Sequence, residues 1–494
     1  MKKYTSLLLL VAMLASLAAC GGADTPTDTT AASAETPSPT TESPFEADDL
    51  PADLDLGGKA VKIHVLDYAS AYAVDIIAEE ETGSRLNDAI YNTSKAVEDR
   101  LNVKLSYTSE AFVYAQLAEV TTKVISSILA GDAEMDLMYS MDNFMARMLE
   151  GDYFHNLRDM KYLSLDKPWY NQTVQENIIG DYVHFVSGMF AIANVKNSFA
   201  MYFNADLFES LGKNEDLYGL VDSGKWTFSK MQELIKDSYA DLNGDTKKDP
   251  FDQYGLTFGD QNKYLGFLGA LGITIFEKEG NNFNFTYDNE KAVTAISALV
   301  KLVNEHEAVL PGKHNNDNSP DFQMTAGGGN YVSKPFMEGR SLFTCSLVAD
   351  AATIVPGIDF DFGILPYPKW DEAQDNYLNM LQRQCYLMIP ATVTDTDTVS
   401  AVMEAIASQS YRSLLPEYCE VTLKTRYSPD DNVSRMFDLI GSGVTFDPGE
   451  IYGNFLGTPS AELKNVITQN NPNWASLVAS KKDSYIEKMN SLVK

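Results

Sequence analysis

The sequence predicts an α/β protein with parallel strands and helices packed on both faces. Three observations predict it. Val61-Lys-Ile-His-Val-Leu66 alternates and is rich in branched residues, which is the pattern of a strand. Leu86, Ala89, Ile90, Val97 and Leu101 then recur near helical spacing. Strand and helix patterns keep alternating along the chain, which favours parallel pairing through helical crossovers.

The elements follow in order. Val103-Lys-Leu-Ser-Tyr107 reads as a second strand, and Ala115 to Leu129 as a helix stopped by Gly131. Asp136-Leu-Met-Tyr-Ser140 is a third strand, and Asn143 to Leu149 starts a short helix. Phe199 to Phe203 is a strand leading into a helix that ends at Gly212. Ser229 to Ala240 is a helix that Thr227 or Ser229 could cap, because their hydroxyls can accept the first free N–H groups. Asn289 to His306 is a long amphipathic helix. Asp361 to Pro366 and Arg383 to Ile389 are strands, while Thr396 to Gln409 and Asn473 to Leu492 are helices. No repeat of solenoid period is present.

The 494 residues are 45% hydrophobic and 11% aromatic, enough for a large core and two or three compact units. The formal net charge is −31. Nucleic acids and anionic lipid surfaces both need clustered Lys and Arg, so partners of those kinds are disfavoured. Past residue 20 no stretch reaches the ~18 apolar residues that span a bilayer.

The N-terminus reads as a leader. Met1-Lys2-Lys3 is a positive n-region, Leu7 to Leu14 is an apolar run, and Leu17-Ala18-Ala19-Cys20 closes it with small residues. That ending resembles the bacterial lipoprotein signal. The resemblance implies a signal peptide over 1–19 and lipidation of Cys20, anchoring the chain to the outer side of a bacterial cell membrane. Losing Lys2 and Lys3 would take the net charge to −33. Gly21 to Pro44 holds Thr, Ser, Ala and Pro with no aromatic or branched aliphatic residue, so it cannot form a core. It reads as the main part of a tether over 20–50, with a reach of at most about 70–80 Å. Cys345, Cys385 and Cys419 are odd in number and lack Cys-x-x-Cys spacing, so they read as free thiols, buried in the two strand-like runs.

Catalytic patterns are scarce. There is no Gly-x-Ser-x-Gly, no His-Glu-x-x-His and no phosphate-binding Gly-rich loop with its Lys. The five His are unpaired at ligand spacing, which disfavours zinc. Acidic residues are too abundant for counting to exclude a glycosidase pair. One loop has metal spacing: Asp241, Asn243, Asp245, Asp249 and Asp252 stand at positions 1, 3, 5, 9 and 12, with the Lys247 carbonyl at position 7. That is the ligand order of a helix–loop Ca²⁺ site. Thr246 replaces the usual Gly at position 6, and Asp252 is one methylene shorter than the usual Glu. The expectation is a structural Ca²⁺; the alternative is a solvated turn.

Several dispersed segments resemble bacterial extracellular solute-binding proteins of the maltose-binding type (family 1), the lipoprotein receptors of ABC importers. They are Asp136-Leu-Met-Tyr-Ser-Met-Asp142, Ser198-Phe-Ala-Met-Tyr-Phe-Asn-Ala-Asp-Leu-Phe208, Gly224-Lys-Trp-Thr-Phe228, the Asp-rich loop with Gln253-Tyr-Gly-Leu256, Phe336 to Phe343, and Phe362-Gly-Ile-Leu-Pro-Tyr-Pro368. Their order, together with the leader, carries the resemblance, which runs from about Lys59 to the C-terminus. It implies a two-lobed periplasmic-binding-protein-like fold (type II) with a ligand cleft between lobes. Lobe one would be 59–192 with 366–410, and lobe two 197–362 with 411–494. It further implies a monomeric, non-enzymatic receptor that closes by a hinge on a carbohydrate, an oligosaccharide in the first instance, and delivers it to ABC permease subunits. A peptide or other solute receptor or sensor is the alternative, and a secreted glycoside hydrolase a further one.

A sugar site needs flat apolar faces and fixed polar groups. Candidate linings follow from loop positions: Asp67 and Tyr68 after the first strand, Tyr139 and Asp142 at the third, and Asn194 and Lys196 near the crossover. Asp260 and Gln261 follow the Asp-rich loop; Trp169, Tyr170 and Trp370 offer rings; Arg383 begins a strand entering the cleft. Core packing is the competing role for the aromatics and helix capping for Asp67 and Asp142.

Overall fold

The computed structural model describes residues 45–132, 134–141, 148, 151–188, 190–312, 333–419 and 431–492. The chain divides into an N-terminal unit, Met1–Ala47, and one compact body, Asp48–Lys494. The expected helix over 143–149 and Asp142 lie outside the described residues.

The body is a mixed α/β structure on two sheets. The first has the order β11-β3-β1-β2, with β1 Lys59–Tyr68, β2 Val103–Phe112, β3 Leu137–Met141 and β11 Cys385–Met388. β1 pairs in parallel with β2 from Lys59↔Val103 to Tyr68↔Phe112, and in parallel with β3. These are the three strands that alternation predicts. β11 returns from far along the chain and lies antiparallel on β3.

The second sheet has the order β10-β4-β9-β5-β8, with β4 Phe199–Asn204, β5 Tyr254–Phe258, β8 Val309–Leu310, β9 Ser341–Leu347 and β10 Phe362–Leu365. β5 is parallel to β8 and β9, whereas β4 is antiparallel to β9 and β10. Every residue of β4, β5 and β9 is buried, which explains why these strands are continuous apolar runs and not alternating ones. A hairpin of β6 Phe276–Glu279 and β7 Asn282–Phe285 stands apart.

Helix ends follow local chemistry. Thr227 caps Phe228–Ile235 by accepting from Lys230 N, and Asn289 caps Glu290–Glu305 by accepting from Ala292 N. The first of these stops five residues short of the expected Ala240. The expected helix over 473–492 is two, Trp474–Ala479 and Lys482–Leu492. Trp474 anchors the start of the first: its ring is buried and its indole N–H donates to the Tyr287 carbonyl at 2.9 Å. Cys345 and Cys385 are buried and Cys419 is half-buried, and none of the three forms a disulfide among the described residues.

The packed chain starts inside the segment expected to be tether. Asp48 is held by both terminal nitrogens of Arg100 at 2.6 Å, by Arg412 at 3.3 Å and by Ser408 at 2.7 Å. Burial by itself would raise this carboxyl. The Arg100 and Ser408 hydrogen bonds and the two guanidinium charges overcome it and hold the group well below the carboxylate range. Leu50 and Leu56 then pack on Val97, Leu101, Val402 and Ala405. Residues 48–56 therefore belong to the body and pack against the helices Arg85–Leu101 and Thr396–Gln409.

Glu404 lies nearby on the second of these helices. It is buried, accepts from the Tyr170 hydroxyl at 2.8 Å and from Ser164 N at 3.4 Å, and burial pushes its carboxyl up to about 7. A carboxyl whose pKa is raised by folding binds its proton better in the native state. Stability is therefore lost as pH rises from about 4.5 to about 7. Glu404→Gln keeps an acceptor for Tyr170 without the charge. Thermal melts should show the variant above wild type at pH 8, with the gap closing by pH 5; a gap that does not change with pH contradicts the assignment.

Candidate functional site

Two chain segments cross between the sheets, and the site is built around them. One runs through the short helix Ile192–Lys196 into β4; the other returns from β10 to β11. They meet antiparallel at Ser198↔Leu381, with Gln382 N donating to Asn197 O at 3.0 Å. Two buried asparagines complete the crossing. Asn379 accepts from Phe199 N at 3.2 Å and donates to Phe199 O at 2.9 Å. Asn194 donates to Ser187 Oγ and Gly188 O and accepts from Cys385 N at 2.9 Å. Side-chain amides thus satisfy peptide groups that no ladder reaches.

On one side of the crossing the strand ends of both lobes converge. Tyr68 closes β1, and the Arg383 guanidinium lies over its ring, 4.6 Å from the centroid. Asp67 is buried and accepts from Tyr72 N and Ala73 N at 2.8 and 3.1 Å, so it performs the capping role. Lys196 pairs with the buried carboxylate of Asp75, and its ammonium stands 5.9 Å from the Tyr418 ring centroid. From the second sheet, Asp260 follows β5 and caps the turn 261–265 by accepting from Asn262 N at 2.6 Å. Lys263 sits between Asp260 at 3.9 Å and Asp350 at 3.5 Å, almost wholly buried. Burial raises the Asp260 carboxyl, while Lys263 and Lys464 oppose the rise.

Lys464, on the helix Ala461–Thr468, completes this side. Its ammonium donates to Asn262 Oδ1 at 2.9 Å. Burial lowers its pKa; Asp260 and Glu450 favour its charge and Arg383 opposes it. Gln261 accepts from the Thr468 hydroxyl at 3.2 Å. Of the predicted residues, Tyr68 and Arg383 therefore meet directly, and Asp260 is linked to Arg383 through the field at Lys464. Lys464, Lys263 and Asp350 were missed by sequence reasoning. Lysines on an amphipathic helix or turn are ordinarily solvated, and only their tertiary partners single these out.

Other predicted residues lie elsewhere. Trp169 and Tyr170 are fully buried, packed edge-on against each other with Trp169 also against Tyr411. Tyr170 spends its hydroxyl on Glu404. Neither ring offers a free face, so their place is the core and not a cleft wall. Gly188 fixes this packing, since a Cβ there would stand 2.0 Å from the Trp169 carbonyl oxygen. Tyr139 is buried within β3. Trp370 stacks on Phe228 at 5.7 Å, beside the Thr227↔Lys369 bridge.

The Asp-rich loop adopts positive φ at Gly244 and Thr246. Asp241 accepts from Gly244 N and Thr246 N, Asn243 from Asp245 N, and Asp245 from Lys247 N. Asp249 accepts from the Asn243 amide and from Phe251 N. Asp252 is buried and holds the Tyr239 hydroxyl, Leu242 N and Asp249 N. Its oxygens are thus taken by two N–H groups of the loop and by the Tyr239 hydroxyl. Among the described residues no group of three or more His, Cys, Asp or Glu is placed to hold a metal ion.

Beside the second crossing segment lies a cavity of about 400 Å³, lined from that segment by Leu378, Met380 and Gln384. Beside it, residues 177–179 are tied to chain segments far along the sequence. The Lys278 ammonium donates to Ile178 O at 2.7 Å, the Asn177 amide to Phe446 O at 2.7 Å, and Ile179 N to the Tyr452 hydroxyl at 2.9 Å.

Two sheets, two crossing segments and convergent strand ends define a class: the two-lobed solute-binding fold of the maltose-binding type. The chain is similar in structure to a cyclo/maltodextrin-binding protein complexed with maltotetraose (TM-score 0.57, 11% identity, covering 88% of this chain and 98% of that one). It is similar to an extracellular solute-binding protein of Staphylococcus aureus in complex with maltose (TM-score 0.56, 11% identity, 90% and 100%). It is also similar to the GacH receptor of Streptomyces glaucescens, solved unliganded and with acarbose (TM-score 0.53, 14% identity, 88% and 98%). At these identities the likeness is one of fold. No protein-family model matches the sequence, and no curated protein matches it.

Proposed function

We propose that this protein is the carbohydrate receptor of an ABC importer: an extracytoplasmic lipoprotein, anchored through Cys20, that closes its lobes on an oligosaccharide and presents it to a permease. The observation that carries the reading is the convergence of Tyr68, Arg383, Lys464 and Asp260 at the strand ends of both sheets, beside the crossing segments. Ligands of open α/β sheets bind outside the carboxyl ends of strands. The similarity to sugar-bound structures supports the ligand class. Arg383 supplies forked donors for sugar oxygens, and Tyr68 supplies a flat face beneath it. We keep the lobe boundaries expected from sequence as part of the proposal, with one refinement. The turn Ser410–Leu414 continues the helix Thr396–Gln409, and Arg412 in that turn holds Asp48, so this stretch belongs with the first lobe.

The test is a thermal-shift and calorimetric screen of maltose, maltotetraose, cellobiose and short peptides. A ligand at 100 times its Kd adds about 2.7 kcal/mol to stability. One oligosaccharide class should raise the transition without being consumed, and Arg383→Ala should weaken it at least tenfold. Consumption of the sugar would point to an enzyme, and a response to peptides alone would replace the ligand class.

Ca²⁺ at the Asp241–Asp252 loop belongs to the same proposal, supported by ligand spacing and by positive φ at positions 4 and 6. Asp241, Asn243, Asp245, Asp249 and the Lys247 carbonyl would bind it, with Asp252 bracing the loop from below. Adding EDTA to Ca²⁺-loaded protein should lower Tm by a few degrees and leave sugar affinity unchanged; an unmoved Tm removes the site. For the anchor, Cys20→Ala should move the protein from the membrane fraction to the soluble one, and continued sedimentation with membranes would refute lipidation.

A further inference from the structure

β2 is the outer strand of the first sheet and pairs with β1 on one side only. It is 10 residues long, against about 5–6 for an ordinary strand. A long open edge is a template for another strand unless something covers it. The bonds around β2 show which of its peptide groups face outward. Gly58 N donates to Asn102 O and Ala69 N to Phe112 O, so even-numbered residues turn their carbonyls towards β1. Odd-numbered residues face away from it, and Leu105 N accordingly donates to Glu98 Oε1 at 2.8 Å. The outward peptide groups of Tyr107, Ser109 and Ala111 have no partner among the described residues. Directly after the strand come Val113 and Tyr114, two large apolar residues that are 54% and 63% exposed.

The edge is also complementary to itself. Lys104 and Glu110 stand at equal distances on either side of Tyr107 and share one face of the strand. Lys104 is exposed and has no ion-pair partner among the described residues. Glu110 accepts from Lys123 at 2.8 Å and is half-buried. If a second copy is laid antiparallel along the edge with a two-fold axis at Tyr107, outward groups meet outward groups. Lys104 of each copy then faces Glu110 of the other, and Ser106 faces Thr108. Moving the axis by one residue sets Glu110 opposite Ser106 or Asn102 and loses the charge pair. Opposite charges directly across strands stabilise the pairing, and like charges oppose it.

We propose that β2 is a dimerisation edge: two copies of this chain pair their β2 strands antiparallel about a two-fold axis at Tyr107 and join their first sheets into one. The contact is isologous, so it closes at two copies. One strand pair buries less surface than a permanent interface, which makes the dimer a transient one. Repulsion between chains of net charge −31 is screened beyond about 8 Å at physiological salt, leaving the short-range pairs to set the register. Pairing puts Ser109 O of the second copy where the Glu98 carboxylate lies, so Glu98 competes with the dimer. The surface is separate from the proposed sugar cleft, and neither reading depends on the other.

The experiment is sedimentation velocity of the full chain at physiological salt, over about 1 μM to 1 mM, the range of weak association. The mass should rise with concentration from 54.6 kDa towards twice that value. Ser109→Pro removes an outward N–H that the monomer's ladder does not use, and should leave the chain monomeric with an unchanged Tm. Lys104→Glu and Glu110→Lys should each weaken the dimer at least tenfold, and the two together should restore it. Glu98→Ala should strengthen it. In case the proline variant folds poorly, the exposed Lys104→Glu carries the same test. The inference is overturned if the wild type stays monomeric at about 1 mM. It is equally overturned if a dimer forms that neither Ser109→Pro nor Lys104→Glu weakens, or if the double charge reversal binds no better than the single ones. Binding of a separate peptide carrying the β2 sequence by a chain that stays monomeric would show an edge open to strands in general, and would also overturn the dimer.

Discussion

The constraint on which the rest of the structure depends is the double crossing between the two sheets. A chain that passes twice through the space between two cores must bury peptide groups where no ladder can pair them. Unpaired, each would cost on the order of 1–3 kcal/mol. Asn379 and Asn194 resolve this with side-chain amides that match a peptide group donor for acceptor. Further bonds extend from there. Asn379 N donates to Gly443 O and Thr445 N to Asn379 O, which ties the C-terminal third of the chain to the crossing. Val348 N donates to Ser198 O, which ties in the end of β9. The crossing is thus the reference frame for each residue around it.

From that frame neighbouring residues acquire distinct surroundings: Arg383 meets Tyr68, while Gln384 lines the cavity. Near Arg383 lysines stand with buried carboxylates, namely Lys464 with Asp260, and Lys263 between Asp260 and Asp350. The cavity is bounded by backbone-held Asp447, beside the hydrogen bonds of Asn177, Lys278 and Tyr452.

Much of the fold was legible in the chain because its signals are local. β1, β2 and β3, the capped helices after Thr227 and Asn289, and the helix Thr396–Gln409 all follow from alternation, helical periodicity and capping chemistry. The site was legible only in part. Tyr68, Asp260 and Arg383 could be placed at strand ends, and they do stand there. Trp169 and Tyr170 could not be told from ligand platforms, because an aromatic residue looks the same in sequence whether its face meets a sugar or Tyr411. Asp67 could be a cap or a ligand, and its two backbone bonds show the cap.

By itself the sequence determined most of the strands and capped helices, the α/β class and the absence of local catalytic motifs, since each is set by neighbours a few residues apart. Tertiary structure alone decided three things. It placed β11 antiparallel on β3 across more than two hundred residues of chain, and it joined Asp48 to Arg100 and Arg412. It also gave neighbouring Arg383 and Gln384 opposite surroundings. The physical reason is common to all three. Burial, charge partners and cavity walls are properties of residues distant in sequence and adjacent in space, and no local pattern encodes which of them will meet.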